Sequence, residues 1–177
     1  MGTLRGDGSR EDLVTRDEML RALRQTRSIL LETVDGIPED VMVTQPVTGS
    51  WTIKDLLGHM AMWQQVGLSF ITDYRASGTP QSLGLENDAA VDAYNWRGAD
   101  LRRDWSLARV RAELDDAQRN LLSAVETLSD DDLHRALPAP WHSATTLEHL
   151  IAINSYEHDL EHLEQTKQWK RSATDTG

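Results

Sequence analysis

The chain of 177 residues has no cysteine. Disulfides, thiolate metal sites, a cysteine nucleophile and cysteine-held iron–sulfur clusters are therefore excluded. Long apolar runs are missing too. The longest strictly aliphatic stretch is Leu150-Ile151-Ala152-Ile153, far short of the roughly 20 residues of a membrane-spanning helix. Cations are scarce: 18 Lys and Arg face 29 Asp and Glu, a net charge of −11. Such a surface repels phosphate backbones and anionic membranes, so neither general nucleic-acid binding nor membrane association is expected. The opening residues have no apolar stretch for a signal peptide and no Ser or Thr at position 6 for myristoylation, so a cytoplasmic location is the expectation.

Proline is also sparse, and its placement is informative. Pro38 and Pro46 share one gap between periodic segments, Pro80 lies in the next, and Pro138 and Pro140 lie in the third. Proline inside a helix costs about 3 kcal/mol, so these positions delimit four helices. The first is expected from about Thr15 to Val34, with Met19, Leu20, Leu23, Ile29, Leu30 and Val34 on one stripe. The second runs from about Thr52 to Ala76, opened by a Thr52–Asp55 capping box, with Leu56, His59, Met60, Trp63 and Phe70 in register. The third starts at Ser106 and buries Leu107, Val110, Leu114, Leu121, Val125 and Leu128. The fourth starts at Thr145, where Glu148 repeats the capping-box spacing, and runs to about residue 170.

Strand signals are weak, and no Asn-Gly or Asp-Gly turn is present. The expectation is an all-α four-helix bundle over residues 15–170. Residues 1–14 and 171–177 are expected to be disordered tails. The stretch from Ser77 to Trp105 is a long crossover, with a short helix from about Asn87 to Trp96 ended by Gly98.

The chemistry centres on histidine. His158 and His162 are one helical turn apart on one face. Their imidazoles can share a divalent cation, at about 2.0–2.1 Å per nitrogen for zinc. Such a pair also arises by chance on solvated helix faces. His59 alone could be a core histidine bonded to a backbone carbonyl, yet it sits among apolar residues where an unpartnered imidazole is costly. Together the three point to a site with neutral imidazole ligands and open positions, the pattern of a catalytic metal centre. His149 falls on the opposite helix face, while His134 and His142 lie in the proline-rich connection, as solvent-facing or locally bonded residues.

Asn154 and Ser155, one turn before His158, are expected at the cavity mouth. Trp63 and Trp96 are expected to form an apolar wall, with core packing as the alternative for Trp63. Glu157 and Glu161 are read as outer partners of the ligands or as a solvated face. Arg97, Arg102 and Arg103 form the one compact basic cluster, for a substrate carboxylate or as solvated surface. His158-x-x-Glu161-His162 also fits the inverted zinc-peptidase pattern, but no distant third carboxylate ligand follows it. A di-iron bundle would need paired Glu-x-x-His motifs, which are absent.

The segment Gly49-Ser50-Trp51-Thr52-Ile53-Lys54-Asp55-Leu56-Leu57-Gly58-His59-Met60-Ala61-Met62-Trp63 resembles the hallmark of the DinB-like superfamily, in particular its ClbS/DfsB branch. Residues Asn87–Leu133 and the late His-x-x-x-His are similar to that branch as well. The resemblance implies an up-up-down-down bundle with a long crossover, often dimeric. It implies zinc or nickel held by His59, His158 and His162, where some superfamily members place a Glu. It further implies a metal-dependent hydrolase or a transferase using a low-molecular-weight thiol, acting on a small reactive substrate in detoxification or self-resistance. The alternative function is non-catalytic binding and sequestration of such a molecule. A purely structural bundle is the third reading.

Overall fold

The computed structural model describes residues 13–85, 87–138 and 145–174; of the tails expected over 1–14 and 171–177, residues 1–12 and 175–177 lie outside the described residues, as does His142, whereas Arg171–Thr174 continue the last helix. The described residues form helix α1 (Arg16–Val34), α2 (Glu39–Thr44), a hairpin of β1 (Pro46–Thr48) and β2 (Trp51–Thr52), then α3 (Ile53–Ser77), α4 (Asp88–Arg102), α5 (Leu107–Glu126), α6 (Asp130–Leu133), α7 (Leu147–Ile153) and α8 (Tyr156–Thr174). The fold is an all-α bundle of α1, α3, α5 and the α7–α8 pair, with α4 on the crossover.

Helix direction follows from the pairing of residues. Along α3 and α5, Lys54 meets Trp105, Gly58 meets Val110, Gln65 meets Glu113 and Gly67 meets Leu121, so the two run parallel. Between α3 and α8, His59 meets His158 and Gln64 meets Asp159, while Gly67 faces Asn154 just before α8, so these run antiparallel. Arg24 pairs with Glu126 and Arg27 with Asp115, which sets α1 against α5. The order is therefore up-down-down-up, not the expected up-up-down-down. The connections explain it. The link from Val34 to Ile53, which carries α2 and the hairpin, reverses the chain, and the long segment carrying α4 returns it so that α3 and α5 run the same way.

Helix starts follow local chemistry. The Thr15 side chain caps α1 with Glu18 reciprocating, and Thr52 with Asp55 caps α3 as expected. Each such cap stabilises by about 1 kcal/mol. Ser106 caps α5. The fourth long helix differs from expectation: its cap is Thr146, not Thr145, and it breaks after Ile153. Asn154 Nδ2 donates to the Leu150 carbonyl and Ser155 Oγ to the Ile151 carbonyl, so side chains claim acceptors at the break.

The hairpin was not foreseen. Its turn needs Gly49 at φ 55°, a left-handed conformation that glycine adopts without strain. It brings Trp51 over the start of α3. The crossover helix also runs longer than expected, through Gly98 to Arg102. Gly98 is a contact point rather than a stop: a Cβ there would collide with the Met62 side chain.

Helix α3 is the spine of the core. Its Ile53, Leu57, Met60 and Ala61 join one apolar cluster with Leu30, Leu107, Val110 and Leu114. Its Val66, Phe70, Ile71 and Tyr74 join a second with Met19, Leu23, Leu121 and Leu150. Gln64 lies between these stretches and His59 within the first, and both are buried. Opposite them α8 buries Asp159, Leu163 and Thr166, a largely polar stripe. Apolar burial therefore does little to hold α8 against α3 at this level.

Candidate metal centre

Three imidazoles converge in that polar layer. His59 Nε2 lies 3.0 Å from His158 Nε2, and His162 Nε2 lies 3.1 Å from the same atom. The candidate ligand atoms of the three all fall within 4.8 Å of one another. Helix α3 supplies His59 from the turn after the Thr52 cap, and α8 supplies the other two at i and i+4. The ring centroids are 4.6–4.8 Å apart.

The rings are neutral. Burial pushes His59 down to about 2, helped by the His158, His162 and Arg102 charges. Burial and His162 push His158 down to about 3. Burial lowers His162 as well, against the opposing pull of Gln165 and Glu161. Desolvation thus keeps three lone-pair donors available at neutral pH.

These residues fit a divalent cation. With zinc–nitrogen bonds of about 2.0–2.1 Å, tetrahedral ligands sit on the order of 3.3 Å apart, close to the 3.0 and 3.1 Å that separate His59 and His162 Nε2 from His158 Nε2. Protons cannot satisfy the cluster in the same way. His162 Nδ1 donates to Gln165 Oε1 at 3.0 Å, which leaves its Nε2 as an acceptor. His158 Nε2 then faces two imidazole nitrogens and can match only one. His59 Nδ1 and His158 Nδ1 are buried without a partner, where a metal-bound imidazole would carry its proton.

A cleft of about 360 Å³ opens onto His59 and His162, with Trp51, Trp96, Asp92, Asn95 and Gln165 in its lining. Trp51 sits edge-on to His59 at 4.9 Å and to Trp96 at 5.8 Å. Trp63 is part-buried, 5.9 Å from His158, and its Nε1 donates to Asn95 Oδ1 at 3.0 Å. Trp63 is thus a wall behind the imidazoles, pinned by the crossover helix. Trp96 is 56% exposed and forms the outer rim.

Other sequence-predicted residues lie elsewhere. Asn154 and Ser155 are buried, with their polar side chains turned back onto α7, so they do not form the cavity mouth. Glu157 and Glu161 are exposed. Arg102 is not solvated surface: its guanidinium clamps Glu113 through two contacts of 2.6 Å and donates to the Gly98 carbonyl at 2.8 Å. Arg103 pairs with Asp100. Arg97 lines an adjoining cleft of about 550 Å³ that shares Ser50, Trp51 and Trp96 with the first. His149 is exposed, and His134 reaches the distant Val14 carbonyl at 2.9 Å rather than a local partner.

Sequence reasoning missed Trp51, Asn95 and Gln165 as site residues, and the buried Gln64–Asp159 pair. Gln64 Nε2 donates to Asp159 Oδ2 at 2.6 Å. Burial pushes the Asp159 carboxyl up to about 7, with the Gln64 bond and Arg27 opposing. Gln165 lies three residues after His162, on its own helix face, and that spacing was a usable signal.

The DinB superfamily model matches residues 22–166. The chain belongs to the DinB superfamily. No curated protein matches it in sequence. Among solved structures it is similar to an uncharacterised Escherichia coli protein, at TM-score 0.77 and 17% identity, covering 94% of this chain and 98% of that one. It is also similar to the colibactin self-resistance protein ClbS in complex with double-stranded DNA, at TM-score 0.75 and 16% identity over 90% and 97% of the two chains. A third is DfsB, described as a sibling lethal factor precursor, at TM-score 0.77 and 17% identity over 92% and 98%. At these identities the likeness concerns the fold. Among the described residues, no helix is long and apolar enough to cross a membrane.

Proposed function

We propose that the chain is a metal-dependent enzyme that acts on a small reactive molecule, as a hydrolase or a thiol-dependent transferase, in detoxification or self-resistance. The observation that carries this reading is the convergence of His59, His158 and His162 beside a tryptophan-rimmed cleft that His59 and His162 line. A structural site would be closed by a fourth protein ligand, whereas three ligands beside a cleft leave room for substrate. The similarity to ClbS, named as a self-resistance protein, supports the physiological part.

A bound zinc or nickel ion supplies Lewis acidity, polarising an electrophile or bringing water or a thiol to a near-neutral pKa. The chain's own residues do the rest. Gln165 holds His162 in the tautomer that presents Nε2. Trp51 and Trp96 exclude water and offer flat apolar faces to an unsaturated or ring-bearing substrate, while Trp63 backs the imidazoles from behind. Among the described residues Arg97 has no ion-pair partner, and it is the side chain placed to receive a carboxylate of the substrate or thiol. The duplex DNA bound by ClbS is not part of this reading, because a net charge of −11 repels phosphate backbones.

The test is a screen of metal-loaded protein for hydrolysis of strained or activated electrophiles and for their conjugation to low-molecular-weight thiols. Saturable turnover that disappears in His59→Ala is expected. Protection that stops at one molecule per chain would instead identify a sequestering protein.

A further inference from the structure

Among the described residues, four buried side-chain atoms lack a hydrogen-bond partner: His59 Nδ1, Gln64 Oε1, His158 Nδ1 and Asp159 Oδ1. All four belong to the polar layer between α3 and α8. Two of them are chemically complementary. Asp159 Oδ1, an acceptor, lies 3.9 Å from His158 Nδ1, the ring nitrogen not used at the convergence. The carboxylate's other oxygen is already held by Gln64 at 2.6 Å. Arg27, a cation that acts on Asp159, is committed to Asp115.

A buried carboxyl oxygen without a donor is costly. A neutral Leu or Met would fill the same space on α8 without that penalty. An acid kept here beside a candidate ligand calls for a partner that donates to it. His158 becomes such a partner when Nε2 is engaged, because its proton then resides on Nδ1 and is a stronger donor. Closing the gap to a hydrogen bond takes about 1 Å of side-chain movement.

We infer that Asp159, tethered by Gln64, is a positioning residue that accepts the Nδ1 proton of His158 and thereby aims its Nε2 at the metal. This rests on the reading of the three histidines as a metal site. The outer partners are then unequal: His162 has an amide, Gln165, and His158 has a carboxylate. The carboxylate adds basicity to His158 and partly offsets the charge of the cation, so the chief effect falls on metal affinity rather than on the fold.

The test uses untagged full-length protein and zinc alone, with affinity measured against a chromophoric chelator. Asp159→Asn keeps the shape and the acceptor for Gln64. Zinc affinity is expected to fall by about 10- to 100-fold in this variant, while the metal-free melting temperature is unchanged or raised. A second readout is the long-range nitrogen–proton spectrum of histidine-labelled protein. In zinc-loaded wild type, His158 should be the Nδ1–H tautomer with a downfield, slowly exchanging proton, and that signature should be lost in Asp159→Asn. Should Asp159→Asn fail to fold, Gln64→Met is read instead, with weakened zinc binding expected. If wild type binds zinc and the variant binds it within twofold, with the His158 signal unchanged, the role of Asp159 is overturned and the metal site stands. If wild type itself binds no zinc, the metal reading fails and takes this inference with it.

Discussion

His59 and His158 place their Nε2 atoms 3.0 Å apart although 99 residues separate them in the chain. The contact joins the central helix to one whose inward stripe is mostly polar, and few apolar side chains back it up at that level. A cation there would link α3 and α8 where packing alone is weak.

The first prediction concerns α8. Amide exchange in Tyr156–Thr174 is expected to slow on adding zinc or nickel, through the local openings that part α8 from α3 as well as through the global unfolding that it shares with α5. At 100 times Kd, binding should stabilise the protein by about 2.7 kcal/mol. His162→Ala should abolish the slowing. Protection that leaves Tyr156–Thr174 unaffected, or that persists in His162→Ala, would mean that the ion acts elsewhere.

Much of this arrangement was readable in the sequence. The Thr52–Asp55 box and the apolar stripe of residues 53–74 gave the central helix, and spacing put the three histidines on inward faces. Apolar period and capping are local signals, and local signals survive folding. What escaped was tertiary. Arg102 reads as surface because its partner, Glu113, lies on the next helix and the glycine that makes room for it, Gly58, on another. Gly98 reads as a stop, yet it sits mid-helix because Met62 needs the space. The break at Asn154–Ser155 carries no Pro or Gly; it arises from two polar side chains folding back onto their own helix. Gln64 and Asp159 look like ordinary surface polar residues until the direction of α8 is known.

The Arg102–Glu113 clamp gives the second prediction. The two side chains are 7% and 17% exposed, so removing one partner strands a mostly buried charge. Arg102→Ala should cost about 3 kcal/mol of unfolding free energy, and Arg102→Met combined with Glu113→Leu should recover most of it. Gly58→Ala should also destabilise. Its Cβ would stand 2.7 Å from Arg102 Cδ, and the clamped side chain cannot yield cheaply. Denaturant titrations read all of these; a neutral Gly58→Ala would contradict the packing described.

The rim tryptophans give the third. Trp96→Ala removes a half-exposed ring that contacts Trp51, so stability should change by less than about 1 kcal/mol. Metal content should be unchanged and KM should rise with a smaller change in kcat. A loss of bound metal in this variant would show that the rim also shapes the ligand set.

Acid stability is the fourth, tested on metal-free protein. His59, His158 and His162 all have lowered folded pKa values, so below their unfolded value of about 6.5 the unfolded chain binds more protons at these positions and stability falls with falling pH. Asp159, raised to about 7, works in the opposite sense between about 4 and 7, but one carboxyl opposes three imidazoles. Each net proton contributes about 1.4 kcal/mol per pH unit. The melting temperature should therefore drop between pH 6.5 and 5. In His59→Ala combined with His158→Ala the drop should largely vanish. An unchanged melting temperature in wild type would mean that the imidazoles are already charged or solvated in the folded chain.

The most direct measurement is elemental analysis of protein purified without a histidine tag, beside His59→Ala prepared identically. One zinc or nickel ion per wild-type chain is expected, retained through gel filtration and absent from the variant. Wild-type protein that holds less than about 0.1 ion per chain, and whose melting temperature is indifferent to added zinc and nickel, would contradict the account.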